Sequence, residues 1–349
     1  MIFSDEMNTE ILATMGPTLG LKSQLITAMN LGVSNFRIHM GVRSRDRCQY
    51  FLNVREAEKV IGKHVEVLID LPTAKPRVGI MKSVKPSVGD VYKVIESNCT
   101  DKELTIPLIG IKKLLGGLNK GDRVVFADKK IVFRIVKKND REIFMKCVCA
   151  NANLVSQISS CVFPDSEVEF DIFDQDDLVV LKRMKKHMLY PDWIAISFAS
   201  GVQQINAIKE VVGGLWGERI RYMAKIESKK GLQNIDEIIK NVDGIMVARG
   251  DLLSFIEPYA LPYIQQSLVN RARKYRKAVV VATEMLEHFS STGIIHRPEL
   301  SDIALAIRQG ASAVMLSVES ANSSRVEECI TLVKNLIMYE KEQVKNGEP

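Results

Sequence analysis

No apolar run in the 349-residue chain reaches the roughly 18 residues a membrane-spanning helix needs, so helical membrane spans are not expected. The amino-terminal Met1-Ile2-Phe3-Ser4-Asp5-Glu6 lacks the basic start and apolar stretch of a secretory signal. Cysteine is sparse. The six residues Cys48, Cys99, Cys147, Cys149, Cys161 and Cys329 show no C-x-x-C spacing, which disfavours a disulfide framework at this length. The five histidines, His39, His64, His187, His288 and His296, include no metal-binding pair, and zinc is disfavoured with them. A reducing, cytoplasmic setting fits these absences. Charge of one sign does not dominate either: 48 Lys+Arg against 42 Asp+Glu leave +6, a weak pointer to anionic partners. The basic run Arg271 to Lys277 ends a helix, where positive charge suits the dipole, and reads as a solvated face and not a nucleic-acid site.

What is present is ordinary globular composition, 46% hydrophobic and 26% charged, at a length that suggests about two domains. Strand-like runs at 10–14, 34–40 and 65–70 alternate with helical patterns at 21–31 and 45–61. Between about 77 and 170 Gly, Lys and short alternating runs take over. Val124-Val125-Phe126 and Ile131-Val132-Phe133 flank Ala127 to Lys130, and Ile143 to Val148 continues the pattern of a small antiparallel barrel. From about 175 the first texture resumes, with strands at 193–197, 220–225, 243–247, 278–282 and 312–316. Helices are expected at 176–188, 202–213, 231–240, 258–275, 299–309 and 322–343. The pattern predicts an α/β protein, a (β/α)₈ TIM barrel in two parts (1–76 and 171–349) with an inserted β-barrel domain at 77–170.

In such barrels the active site lies at the carboxyl ends of the strands. Those ends hold Arg37 and His39, Asp70, Ser197, Lys225 and Glu227, Arg249 and Asp251, Thr283, and Ser317 and Glu319. Alternation puts Lys225 and Glu227 on one face. Glu227 and Asp251 are hard carboxylates suited to Mg²⁺ or Mn²⁺, ions commonly held by one or two carboxylates while substrate fills other positions. Lys225, Arg37 and Arg77 add cationic donors suited to phosphate or carboxylate. Together they favour phosphoryl transfer or enolate stabilisation. Each residue taken alone has a plainer explanation: a surface ion pair for Lys225–Glu227, a structural pair for Arg37–Asp70, and helix capping for Asp251, Thr283 or Ser317. Their placement at successive strand ends favours function.

Over residues 8–335 the chain resembles pyruvate kinases. The resemblance rests on Met223-Ala224-Lys225-Ile226-Glu227, Asn234 to Ile239, and Asp243-Gly244-Ile245-Met246-Val247-Ala248-Arg249-Gly250-Asp251-Leu252. Ala13-Thr14-Met15-Gly16-Pro17, Ala195-Ile196-Ser197-Phe198, Ala282 to Glu287 and Met315-Leu316-Ser317 support it. It implies a glycolytic transferase that moves the phosphoryl group of phosphoenolpyruvate to ADP, giving pyruvate through a metal-bound enolate beneath a lid domain. Residue by residue, it implies Glu227 and Asp251 as ligands of Mg²⁺ or Mn²⁺, and Lys225 as stabiliser of the transferring group and enolate. Arg37 would contact the phosphate and Arg77 would be a second arginine near the lid hinge. Gly250, Asp251 and Thr283 would hold the substrate carboxylate, with Ser197 in the matching serine position.

Departures cluster elsewhere. After Arg37 the run Ile38-His39-Met40-Gly41-Val42-Arg43 replaces the family's Asn-Phe-Ser-His-Gly, and only Asp70 survives of the four usual K⁺ ligands. The resemblance therefore does not carry a K⁺ site over intact. Lys75 stands where K⁺-requiring members have Glu, so its ammonium could replace the monovalent cation. Val42 and Ser159-Ser160 remove nucleotide contacts, which leaves the acceptor as ADP or another molecule. The chain stops at Pro349 without the family's carboxyl-terminal domain, so inherited allostery is not expected, while a homo-oligomer through the barrel remains open. Two alternatives stand beside the kinase-like reading: a pyruvate-enolate lyase or decarboxylase using the same half-site, and a non-catalytic regulatory relative.

Overall fold

The computed structural model describes residues 9–41, 47–126, 130–154, 159–173, 175–217 and 219–346. The chain divides into two compact units, one of residues up to 72, 175–249 and 259 onward, the other of 73–174 with 250–258.

The larger unit is built on a closed barrel of parallel strands: β1 (Glu10–Thr14), β2 (Asn35–His39), β3 (Glu66–Leu71), β4 (Trp193–Ile196), β5 (Arg221–Ile226), β6 (Gly244–Ala248), β7 (Ala278–Ala282) and β8 (Ala313–Leu316). The ring shuts where Glu10 to Ala13 of β1 pair with Ala313 to Leu316 of β8. Strands covered on both faces need apolar residues at every position and not only at alternate ones. Ala278-Val279-Val280-Val281-Ala282 is such a run, buried throughout. Leu12, Leu68, Ala195, Met223, Met246, Val280 and Met315 cluster together in a separate core of barrel residues. At the amino-terminal end of β3 and β4 the Trp193 indole donates to Glu66 Oε2 at 2.8 Å, and Arg221 pairs with Glu66 Oε1 at 2.7 Å. The Arg221 guanidinium also lies 4.4 Å from the Trp193 ring centroid. These paired contacts suit a structural role.

The helices follow the expected order, with the short helices Arg249–Leu253, Glu287–Thr292 and Val318–Ala321 added and further differences at two of the expected ones. The helix expected at 231–240 breaks into Lys229–Gln233 and Ile235–Lys240. Asn234, between them, leaves the helical region at φ −98° and ψ 16°, and its side-chain amide donates to Ser200 O at 2.7 Å. The last helix starts at Val326 and not at 322. Ser323 holds the approach by donating to Ser290 O at 2.7 Å and accepting from Arg325 N at 3.0 Å. Helix Arg297–Gln309 stops at Gly310, whose φ of +95° an L side chain resists. None of the helices, among the described residues, is long and apolar enough to cross a membrane.

The smaller unit is a seven-stranded sheet in the order 161–162, 123–126, 131–138, 142–150, 91–95, 105–109, 77–78. Its edges nearly close. Arg77 bridges Ser160, Val78 N donates to Ser159 O at 2.8 Å, and Cys161 N donates to Pro76 O at 3.0 Å. Neighbours run antiparallel except Val91–Ile95 with Thr105–Ile109, which run parallel. Side-chain alternation is the same in either direction, so the sequence could not distinguish them. Ala127 to Lys129, expected as the hairpin turn, lie outside the described residues. Phe133 anchors the core edge-to-face with Tyr92 and Phe126, at centroid separations of 5.6 and 5.9 Å.

Phe133 is fully buried, so Phe133→Ala should destabilise this unit by about 3–5 kcal/mol. The exposed Val88→Ala should change stability by less than about 0.5 kcal/mol. Urea titration followed by circular dichroism would check both, and similar midpoints for the two variants would refute the assigned core.

Candidate active site

The carboxyl ends of β1 to β5 bring six side chains into one network. Arg37 extends from β2 to the fully buried Asp70 of β3, with Nε 2.8 Å and Nη2 2.7 Å from Oδ2. Its Nη1 donates to Thr14 Oγ1 at the end of β1, at 3.1 Å. Asp70 Oδ1 lies 3.4 Å from Ser197 Oγ and 3.3 Å from Lys225 Nζ. Lys225 donates to Ser197 Oγ at 2.9 Å and lies 3.1 Å from Glu227 Oε1. Glu227 Oε2 accepts the Phe198 backbone N–H at 2.6 Å, which the positive φ of Phe198 (50°) helps to present. The Lys225–Glu227 pair is therefore buried and not a surface pair, with side-chain exposures of 9% and 3%.

Burial alone would push the Asp70 carboxyl up. Lys225, then Arg37 and His39, together with the Arg37 hydrogen bond, outweigh it and hold Asp70 well below the usual carboxylate range. Asp70 thus stays anionic and fixes two cations that would otherwise repel. The structural pairing of Arg37 with Asp70 and a functional role for Arg37 are not exclusive, because the pair orients the guanidinium at the strand end.

At β6 and β7 a second arrangement holds Thr283. Arg249 donates through Nε to Ala282 O at 3.1 Å and through Nη2 to Thr283 O at 2.5 Å. Its Nη1 binds both oxygens of Asp302, at 2.7 and 2.6 Å. Thr283 and Glu284 have φ of +76° and +53°, a costly conformation for a β-branched residue, and the arginine clamp fixes the strained turn. Glu319, fully buried, accepts from Met285 N and Leu286 N at 3.1 and 3.2 Å and from Ser317 N at 2.6 Å. It anchors the backbone that follows β7. Ser317 precedes helix Val318–Ala321 at the N-cap position without a side-chain cap bond.

Lys75, Arg77, Gly250 and Asp251 belong to the smaller unit. Lys75 Nζ contacts both Asp251 oxygens, at 3.1 and 2.9 Å, so it is not a lysine pointing into solvent. Asp251 lies in the first turn of helix Arg249–Leu253, next to Gly250. Arg77 is half-buried on the strand Arg77–Val78. Val42 and Arg43 lie outside the described residues, while Ser159 and Ser160 close the sheet edge.

The sequence reading passed over Thr14 although it is the last residue of β1, the same sign that exposed the others. Asp302 offers no local sign, being 53 residues from Arg249. No group of three or more His, Cys, Asp or Glu able to hold a metal occurs among the described residues. Glu227 and Asp251 nonetheless suit a hard divalent ion. Both are carboxylates that lie against ammonium groups, as oxygen ligands for a hard cation would.

A family model described as pyruvate kinase, barrel domain, matches residues 6–330. The chain is 28% identical over 332 residues to a pyruvate kinase of Thermotoga maritima, covering 94% of this chain and 70% of that one. A pyruvate kinase of Thermococcus litoralis is 30% identical over 316 residues, covering 90% of this chain and 65% of the relative. Among solved structures, a pyruvate kinase from Cryptosporidium parvum shares the fold with a TM-score of 0.84 at 24% identity, covering 96% of this chain and 69% of that one.

Asp70→Asn leaves Arg37 and Lys225 buried and short of countercharge, and should destabilise the protein by about 3–5 kcal/mol near pH 7. The folded-state pKa of Asp70 lies below its ordinary value of 3.8, so the carboxylate's contribution is complete above that value and is lost as pH falls below it. Urea midpoints of wild type and Asp70→Asn should begin to converge below about pH 4 and keep converging as pH falls towards the depressed folded-state value. An unchanged gap between pH 7 and pH 3 would remove Asp70 from this role.

Proposed function

The chain belongs to the pyruvate kinase family, and on that premise we propose that it transfers the phosphoryl group of phosphoenolpyruvate to ADP or a related acceptor, leaving pyruvate. The observation that carries this reading is the buried Lys225 ammonium at the end of β5, held by Ser197, Asp70 and Glu227. An ammonium fixed in place beforehand can stabilise developing negative charge without reorganising during the reaction.

In the proposed mechanism Arg37 and Lys225 bind the phosphate of phosphoenolpyruvate, with Arg37 oriented by Asp70 and Thr14. Lys225 stays with the phosphoryl oxygens as the bond to the enol oxygen breaks and then faces the enolate. The acceptor oxygen takes the phosphoryl group, and the enolate carbon takes a proton relayed from solvent near Thr283 to give pyruvate. Gly250, Asp251 and Thr283 are assigned to the substrate carboxylate, and Arg77 to a second anionic contact. Glu227 and Asp251 are the carboxylates assigned to a divalent ion such as Mg²⁺ or Mn²⁺, which when bound supplies Lewis-acid charge for phosphoryl transfer. The two Asp70 oxygens are engaged by Arg37, Lys225 and Ser197, which supports a reaction that does not rely on K⁺ there. In the same reading Lys75 supplies the charge of the missing monovalent ion.

Lys225→Met should lower turnover by at least about 10²–10³-fold while phosphoenolpyruvate binding stays measurable by calorimetry. Near-normal turnover would sink the mechanism. Incubation with phosphoenolpyruvate and Mg²⁺, with and without ADP and K⁺, can be followed by phosphorus NMR. The resonance should move from phosphoenolpyruvate to the terminal phosphate of ATP only when ADP is present. Carbon–carbon bond change without phosphoryl movement would identify a lyase instead.

A further inference from the structure

Asp251, assigned above to the divalent ion, has a competitor within its own unit. Lys75 Nζ lies 3.1 Å from Oδ1 and 2.9 Å from Oδ2, so one ammonium occupies the notch between both oxygens. Mg²⁺ binds carboxylate oxygen at about 2.0–2.1 Å, and a second cation against the same two oxygens would repel it strongly. The ammonium and the divalent ion cannot share that position.

We propose that Lys75 is a built-in counter-ion that must leave Asp251 before a divalent cation can bind there, and that it thereby sets the cation concentration at which the site fills. The inference rests on the assignment of Asp251 as a metal-binding carboxylate. Three features suit an exchange. The side chains of Lys75 and Asp251 are 18% and 27% exposed, so water can reach a displaced ammonium. A four-carbon stem lets the ammonium move away without disturbing the backbone. A doubly charged ion outcompetes a singly charged group at a carboxylate, whereas another monovalent ion gains little by replacing one. Lys75 would thus keep Asp251 neutralised in the resting protein and make occupancy selective for divalent charge.

The test measures Mn²⁺ binding to the full chain without substrate, from the free-ion signal in electron paramagnetic resonance. Lys75→Met and Lys75→Gln should each bind Mn²⁺ roughly three- to tenfold more tightly than wild type. Lys75→Arg, which keeps the charge, should not. Lys113→Met removes an exposed lysine of the same unit that pairs with Asp171, and should leave Mn²⁺ binding unchanged. Equal or weaker binding by both Lys75 variants, or the same gain in Lys113→Met, would overturn the proposal. Asp251→Asn separates the two levels. If it binds Mn²⁺ as wild type does, the assignment of Asp251 to the metal fails. If it binds weakly while the Lys75 variants match wild type, the assignment stands and only the competition is overturned.

Discussion

The Asp70 carboxylate makes the rest of the barrel's carboxyl end possible. Two cations, Arg37 and Lys225, cannot be held close together in a dry barrel mouth unless an anion lies between them. Asp70, on a strand flanked by the strands that carry Arg37 and Ser197, supplies it from the centre of the group. The same carboxylate also aims both cations. Arg37 approaches it through two nitrogens, and Lys225 is triangulated by Asp70, Ser197 and Glu227. Positioning and charge balance are therefore one arrangement, and its geometry comes from strand register and not from loops.

The two ends of the barrel contrast in this respect. At the amino-terminal end Glu66 accepts the Trp193 indole N–H and pairs with the Arg221 guanidinium. At the carboxyl end charged groups are held in place by one another, and strained turns follow the strands. Thr283 is the clearest case: its left-handed backbone persists because Arg249 grips its carbonyl and Asp302 grips Arg249. Stored strain of this kind belongs where a backbone must present itself to a substrate.

Much of this was legible in the residues. Eight apolar runs separated by helical patterns require strands covered on both faces, and the polar residue ending each run marked Arg37, Asp70, Ser197, Lys225 and Glu227 as neighbours before any coordinates. Local pattern fails where a partner is remote. Asp302 looks like any exposed acidic residue of a helix until Arg249 is seen to reach it. The Lys75–Asp251 pair joins positions 176 residues apart, and no spacing rule connects them. Strand direction in the smaller unit was equally hidden, because parallel and antiparallel neighbours alternate their side chains alike. The break at Asn234 depends on a carbonyl from the preceding strand-to-helix loop, at Ser200.

The membership of Gly250–Pro258 in the smaller unit bears on how such a protein can be divided or recombined. An inserted domain joined at one place in its host can be excised, exchanged or lost as a cassette. Here the chain enters the smaller unit after β3 and again after β6, so the unit has two genetic addresses. Excising 73–174 would strand 250–258 without the unit it belongs to, and transplanting 73–174 alone would leave behind Asp251. The smaller unit is thus inherited with the barrel's second half as well as its first, and changes in either must be tolerated by both.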